Sequence, residues 1–106
     1  MNALEKEVIE RFKKLILERV GPHRLILFGS CARGDAHPQS DMDVAVILKG
    51  DASAAMRETV SDCAWEAGWE RGIVVVPMVF SEDEWEHGPE RESLLVRAIE
   101  AEGVPV

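Results

Sequence analysis

This sequence is poor in positive charge. Its 106 residues contain 12 lysines and arginines against 20 aspartates and glutamates, which gives a net charge of −8. Proteins that bind duplex nucleic acid depend on lysine and arginine to neutralise phosphates. The acidic balance therefore argues against a duplex-binding surface, and we expect no direct binding of nucleic acid. A polyanionic ligand would have to be held locally, by metal ions or by oriented backbone amides.

Long apolar runs and paired cysteines are also missing. The stretches LILF and IVVVPMVF are too short to cross a bilayer, and the charged start MNALEKEVIE lacks the apolar core of a signal peptide. The two cysteines, Cys31 and Cys63, form no CxxC pair, which is typical of free thiols in a reducing compartment. We therefore expect a soluble, cytoplasmic protein without a membrane segment.

The hydrophobic content of 46% is enough for one core, and we expect a single domain over residues 1–106. The spacing of apolar residues, with glycine and proline marking the ends of segments, predicts the order of helices and strands. The predicted elements are a helix over 3–20, strands over 23–28 and 43–48, a helix over 52–69, a strand over 72–80, a short helix from 81, a helix over 89–101 and an extended tail. This order predicts an α/β fold, a short mixed sheet of three or four strands flanked by helices.

Three local patterns make more specific predictions. Pro77 lacks an N–H group for a sheet ladder, so its strand should lie at a sheet edge or contain a bulge there. Ser81 and Glu84 have the spacing of a capping box, which predicts a helix start. In the last helix, the apolar spacing predicts inward-facing side chains at Leu94, Leu95, Ala98 and Ile99.

The loop between the first two strands begins with a pattern suited to phosphate binding. Gly29 ends a strand, and Ser30 is a good N-cap for a turn of helix, whose free N–H groups and positive dipole end bind phosphate. Arg33 lies one turn further on and can reach a phosphate oxygen. Together with Ser40, these are the candidate nucleotide-binding residues.

The same loop ends with a pattern suited to a metal ion. Asp41 and Asp43 are two positions apart at the start of a strand, so both side chains point to one face. Mg²⁺ is commonly held by one or two carboxylates together with substrate phosphates, so these two aspartates are the candidate catalytic and metal-binding residues. The alternative is that Gly29 and Ser30 only turn the chain and Asp41 caps the loop.

The segment GSCARGDAHPQSDMD resembles the signature of the DNA-polymerase-β-like nucleotidyltransferases: Gly-Ser, ten residues, Asp-x-Asp. The whole chain resembles the smallest branch of that superfamily, the minimal nucleotidyltransferases encoded beside HEPN proteins. The resemblance implies that Gly29 and Ser30 hold the triphosphate of ATP or another NTP, and that Asp41 and Asp43 bind Mg²⁺. It also implies an antitoxin that transfers AMP to a hydroxyl of a HEPN ribonuclease. Cys31 departs from the family, which often has arginine there.

A second departure concerns catalysis. Active members of the family usually supply a third carboxylate from the strand after the second long helix, but residues 73–80 contain no aspartate or glutamate. Strand alternation places Val74 or Val76 opposite the aspartates, and Val76 is the preferred position. Loss of this acid should weaken catalysis more than binding of the magnesium nucleotide. The second hypothesis is therefore a binding module that neutralises its partner by complex formation.

Other residues leave alternatives open. Trp65, Trp69 and Trp85 could pack helices on the sheet, mark a partner surface or stack on a base. His37 lies in the candidate loop, although a histidine before a proline is more often a surface residue. A chain of this size would take its acceptor from another protein or from a second copy of itself, so a homo-oligomer is possible.

Overall fold

The computed structural model describes residues 1–29, 41–88 and 93–106. Within these ranges the helices are α1 (Ala3–Arg19), α2 (Ala54–Gly68), α3 (Glu82–His87) and α4 (Leu94–Glu102), and a 3₁₀ turn (Trp69–Arg71) follows α2. The strands are β1 (His23–Phe28), β2 (Met42–Leu48), β3 (Val75–Ser81) and β4 (Val104–Pro105). The predicted order of helices and strands is confirmed, and the extended tail proves to contain a fourth strand.

The strands form one mixed sheet in the order β3-β2-β1-β4. β1 runs antiparallel to both β2 and β4, whereas β3 runs parallel to β2. The mixed sheet of three or four strands is therefore confirmed. Pro77 belongs to β3, which lies at the edge of this sheet, as expected for a residue that cannot donate to a ladder.

The hydrophobic core occupies both faces of the sheet. On one face, α1 and α2 pack against alternate β2 residues, with Phe12, Ile16, Val44, Val46 and Val60 fully buried. On the other face, the intervening β2 residues Ala45 and Ile47 pack with residues of α3 and α4. Because β2 is covered on both faces, its sequence is almost continuously apolar after Asp43 rather than alternating.

The capping box predicted at the start of α3 is present. The Glu84 N–H donates to Ser81 Oγ at 3.0 Å, and the Ser81 N–H donates to Glu84 Oε1 at 2.9 Å. Arg57 of α2 also donates to Glu84 Oε1, at 2.8 Å. The capping box therefore ties α3 to α2 as well as fixing the helix start.

The prediction for the inward face of α4 was wrong. Val96 and Ile99 are buried, whereas Leu94 is 86% exposed and Leu95 and Ala98 are also exposed. Ser93 caps the helix, so Leu94 is its first residue. Of the predicted set, only Ile99 contributes to the core.

The remaining structural expectations concern cysteine and membrane segments. Cys63 is a free and buried thiol, as predicted, and Cys31 lies outside the described residues. No helix in the described part of the chain has both the length and the apolar character needed to cross a membrane.

Candidate nucleotidyl-transfer site

The candidate site lies where β1 ends and β2 begins. Antiparallel pairing aligns Phe28, the last residue of β1, with Asp43. Gly29 follows Phe28 directly, and Asp41 precedes β2. The sheet therefore brings Gly29, Asp41 and Asp43 to one end, as the sequence predicted for the two ends of a shared loop.

Gly29 lies close to the side chain of Asp43, a candidate metal ligand. Its φ of +76° is a left-handed backbone conformation that residues other than glycine rarely adopt. A Cβ atom built at this position would lie 2.7 Å from Asp43 Oδ2. Glycine is thus needed both for the backbone conformation and to leave space for the Asp43 carboxylate, a role that the sequence pattern did not reveal.

Asp43 carries its charge in an unfavourable environment. It is partly buried, on the same face as Ala45 and Ile47. Burial, and secondarily the carboxylate of Asp41, raise the pKa of Asp43 above its ordinary value. Two carboxylates held on one face in this way form a site that a cation would stabilise.

The donor set suits a magnesium ion bound together with a nucleotide. No group of three or more histidine, cysteine, aspartate or glutamate side chains within residues 1–29, 41–88 and 93–106 could hold a metal ion. Asp41 and Asp43 are hard oxygen donors, and Mg²⁺ usually keeps several waters and uses only one or two carboxylates plus substrate phosphates. The residues present therefore fit Mg²⁺ as part of a metal–nucleotide complex, not as an ion in an all-protein cage.

The strand beside Asp43 offers no carboxylate at the corresponding position. Parallel register pairs Asp43 with Val76, and register partners in neighbouring strands present their side chains on the same face. The prediction that Val76 lies opposite the aspartates is confirmed. Phe28, Asp43 and Val76 form one row across the sheet, so the carboxylate has an apolar neighbour on each side. The sequence pattern did not identify Phe28 as a member of this row, because the row depends on the register between β1 and β2.

Several predicted site residues lie outside the described residues. Ser30, Arg33 and Ser40, proposed to bind nucleotide, belong to this set, as does His37. Their roles stay predictions.

The tryptophans fall into two groups. Trp85 is buried and makes an edge contact with Phe80, at 5.2 Å between ring centroids, so it packs α3 on the sheet. Trp65 and Trp69 are exposed and stack on each other. Because α2 covers the face that carries Val44 and Val46, this pair lies on the opposite side of the sheet from Asp43.

Comparison with known proteins agrees with this arrangement. The model of the nucleotidyltransferase domain family matches residues 7–104, nearly the whole chain. The chain belongs to the nucleotidyltransferase domain family. A relative from Methanocaldococcus jannaschii, named "putative protein adenylyltransferase", is 32% identical over 76 residues, which cover 70% of this chain and 77% of the relative.

Family membership confirms the resemblance derived from the Gly-Ser and Asp-x-Asp pattern. The small α/β fold, with its four-stranded sheet flanked by helices, is the one expected for a nucleotidyltransferase domain. Membership supports transfer of a nucleoside monophosphate as the general chemistry of this chain.

Proposed function

We propose that this chain transfers AMP from ATP to a hydroxyl group of a partner protein, with release of pyrophosphate and of the hydroxyl proton, in a reaction that depends on Mg²⁺. The observation that carries the proposal is the pair Asp41 and Asp43 at the sheet end where Gly29 leaves space for a carboxylate. Mg²⁺ bound there would neutralise phosphate charge and polarise the α-phosphate for in-line attack. Asp41 and Asp43 would hold the metal–nucleotide complex in a fixed orientation relative to the sheet.

The surroundings of the aspartates support this role. The pKa of Asp43 is raised by burial, so its charge is better accommodated with a cation than without one. Phe28 and Val76 flank Asp43 in the sheet and limit the water around the carboxylate. Gly29, with Ser30 and Arg33 after it, would grip the triphosphate through backbone amides and the guanidinium group.

We further propose that the acceptor is a HEPN-type ribonuclease encoded nearby and that modification makes this chain its antitoxin. The name of the Methanocaldococcus jannaschii relative supports a protein acceptor. The resemblance to minimal nucleotidyltransferases supports the HEPN partner. Both proteins would act in the cytoplasm.

The test is transfer of label from α-labelled ATP. The wild-type chain, Mg²⁺ and the neighbouring HEPN-type protein should give a labelled partner. Asp43→Asn should lose the labelling, whereas Asp51→Asn, which changes an exposed aspartate after β2, should keep it. An unlabelled partner, or equal labelling by Asp43→Asn and wild type, would contradict the proposal.

A second candidate function is a binding module that neutralises its partner by covering it. The observation that favours it is Val76, which stands beside Asp43, where the resemblance to active nucleotidyltransferases leads us to expect a third acid. The variant Asp41→Ala/Asp43→Ala separates the two functions. Full neutralisation of the ribonuclease by this variant would support the binding module, and loss of neutralisation with intact binding would support the enzyme.

A further inference from the structure

Trp65 and Trp69 form an exposed aromatic surface that the proposed reaction does not use. Their exposed fractions are 65% and 54%, and the rings stack with centroids 5.3 Å apart at an interplanar angle of 12°. Tryptophan is large and apolar, and its enrichment at protein interfaces reflects the free energy gained when it is covered. Two adjacent exposed tryptophans therefore indicate a contact surface for another molecule.

A groove of about 400 Å³ continues this surface to the edge of the sheet. Its walls include Trp65, Trp69, Val74, Val75 and Pro77. Val74 is itself 58% exposed. We call this region, Trp65, Trp69 and residues 74–77, the tryptophan edge.

The backbone of β3 shows which part of that edge is open. The Met42 N–H donates to Val74 O at 2.9 Å, so even-numbered β3 residues bond to β2 and odd-numbered residues face outward. Further along, Arg57 donates to the outward Val79 carbonyl, and the Ser81 N–H donates to Glu84. The C-terminal half of the edge is thus covered, whereas the N–H and C=O of Val75 and the C=O of Pro77 face the groove.

The charge around the tryptophan edge selects the kind of partner. Glu58 and Asp62 are exposed and lie on the same face of α2 as Trp65, two turns and one turn before it, respectively. A second copy of the chain would bring like charges together, on top of a net charge of −8 for each copy. Arginine, by contrast, pairs with carboxylates and stacks on tryptophan faces.

We propose that the tryptophan edge docks an extended, arginine-containing segment of a partner protein, which adds a strand beside Val75–Pro77 and places arginine over Trp65 and Trp69. The Met42–Val74 hydrogen bond ties this edge to the start of β2, between Asp41 and Asp43. The docked segment would therefore lie at the same end of the sheet as Asp41 and Asp43, with β3 between them. The docking surface itself does not depend on the proposed function. Only the identification of the docked protein as the acceptor rests on that function.

The test uses a synthetic peptide of alternating arginine and valine, without nucleotide, so that its result is independent of transfer activity. Binding is measured by tryptophan fluorescence and by calorimetry. The wild-type chain should bind this peptide at least about tenfold more tightly than a glutamate–valine peptide. Trp65→Ala/Trp69→Ala should weaken binding about tenfold or more. Leu94→Ala, which changes an exposed leucine of α4, should leave binding unchanged.

Amide exchange tests the added strand. Bound peptide should slow exchange of the outward Val75 N–H, as expected when an edge strand gains a neighbour. Absence of binding, equal binding by the double tryptophan variant in its folded form, or equal binding of the acidic peptide would overturn the docking surface. Binding without slower exchange at Val75 would overturn the strand addition. None of these outcomes would contradict labelling of a partner in the transfer assay, which tests the proposed function separately.

Discussion

Gly29 and Asp43 show how closely single residues are matched at the candidate site. The glycine adopts φ of +76°, and only its missing Cβ leaves the Asp43 carboxylate its position. Asp43 in turn is partly buried beside Asp41, and burial first, then the Asp41 carboxylate, raise the pKa of Asp43 and disfavour its charged form. These residues therefore serve the site at some cost to the stability of the chain without its ligands.

Gly29→Ala should damage both folding and the site. The left-handed conformation should reduce the free energy of unfolding by about 1–2 kcal/mol, and the Cβ should also displace Asp43. Gly72→Ala is the matched control, because Gly72 has φ of +69° but an open space around its Cβ position. Denaturant unfolding should show similar backbone costs for both variants, and a transfer assay should show loss of activity for Gly29→Ala alone. Equal activity of both variants would contradict this account.

Asp43→Asn should separate stability from function. Removing a partly buried negative charge beside Asp41 should leave the melting temperature without ligand equal to that of wild type or higher. Transfer should fall by at least about a hundredfold, since several kcal/mol of charge stabilisation at the metal would be lost. Thermal melts with and without MgATP check both points: stabilisation by MgATP should be much smaller in the variant. A variant that melts well below wild type without ligand would contradict the assigned environment.

At the scale of elements, strand β3 decides what stands beside the aspartates and what the sheet edge presents. Its parallel register places Val76 next to Asp43 and turns Pro77 outward, where its missing N–H leaves no gap in the ladder to β2. Arg57 of α2 covers the next outward carbonyl and also reaches Glu84 at the start of α3. One arginine therefore joins a helix, an edge strand and a helix cap.

Val76→Asp should test the missing acid. A carboxylate at this register position would join Asp41 and Asp43 on one face, and with Mg²⁺ present it should raise the transfer rate by about tenfold or more. Leu94→Asp serves as the control, because Leu94 is exposed in α4 and lies outside β3 and the tryptophan edge. Single-turnover transfer to the partner measures the effect. A folded Val76→Asp protein with unchanged or lower activity would show that the apolar residue does not limit catalysis.

Glu84→Gln should make stability less dependent on pH. The Ser81 N–H, and secondarily Arg57, lower the pKa of Glu84, so the charged carboxylate stabilises the fold above its ordinary pKa. This contribution is lost as the pH falls through the lowered pKa. Because the Arg57–Glu84 pair is partly exposed, we expect Glu84→Gln to cost less than about 1 kcal/mol at neutral pH.

The difference between Glu84→Gln and wild type should disappear in acid, and urea unfolding at several pH values measures it. Glu82→Gln, also in the first turn of α3, controls for the interaction of acidic residues with the helix dipole. A difference that persists unchanged at low pH would contradict the assigned role of the Glu84 charge.

At the scale of the whole molecule, the net negative charge limits which partners the chain can bind. The net charge of −8 should keep the chain from binding duplex RNA or DNA at physiological salt. An electrophoretic mobility assay with labelled duplexes checks this, with a basic duplex-binding domain as positive control. Saturable duplex binding that weakens with added salt would contradict it.

The order of helices and strands, and the face of the sheet on which several residues lie, could be predicted from the sequence alone. Helix-period and strand-period apolar residues predicted the element order, and strand alternation left Val74 or Val76 opposite the aspartates, with Val76 preferred, which the register confirms. These features depend on local periodicity and on neighbours along the chain, which sequence records directly. The inward face of α4 was mistaken, because apolar spacing in a short helix does not say which side meets the sheet.

Only the tertiary structure decided the contacts between segments distant in sequence. The Gly29–Asp43 contact, the pairing of β4 with β1, the reach of Arg57 to Val79 and the exposure of Trp65 and Trp69 all depend on how separate elements are packed. The physical reason is that side-chain periodicity specifies a buried face but not its neighbour. The sequence therefore determined a nucleotidyltransferase domain with two aspartates at one sheet end, and packing determined the space and the open edge around them.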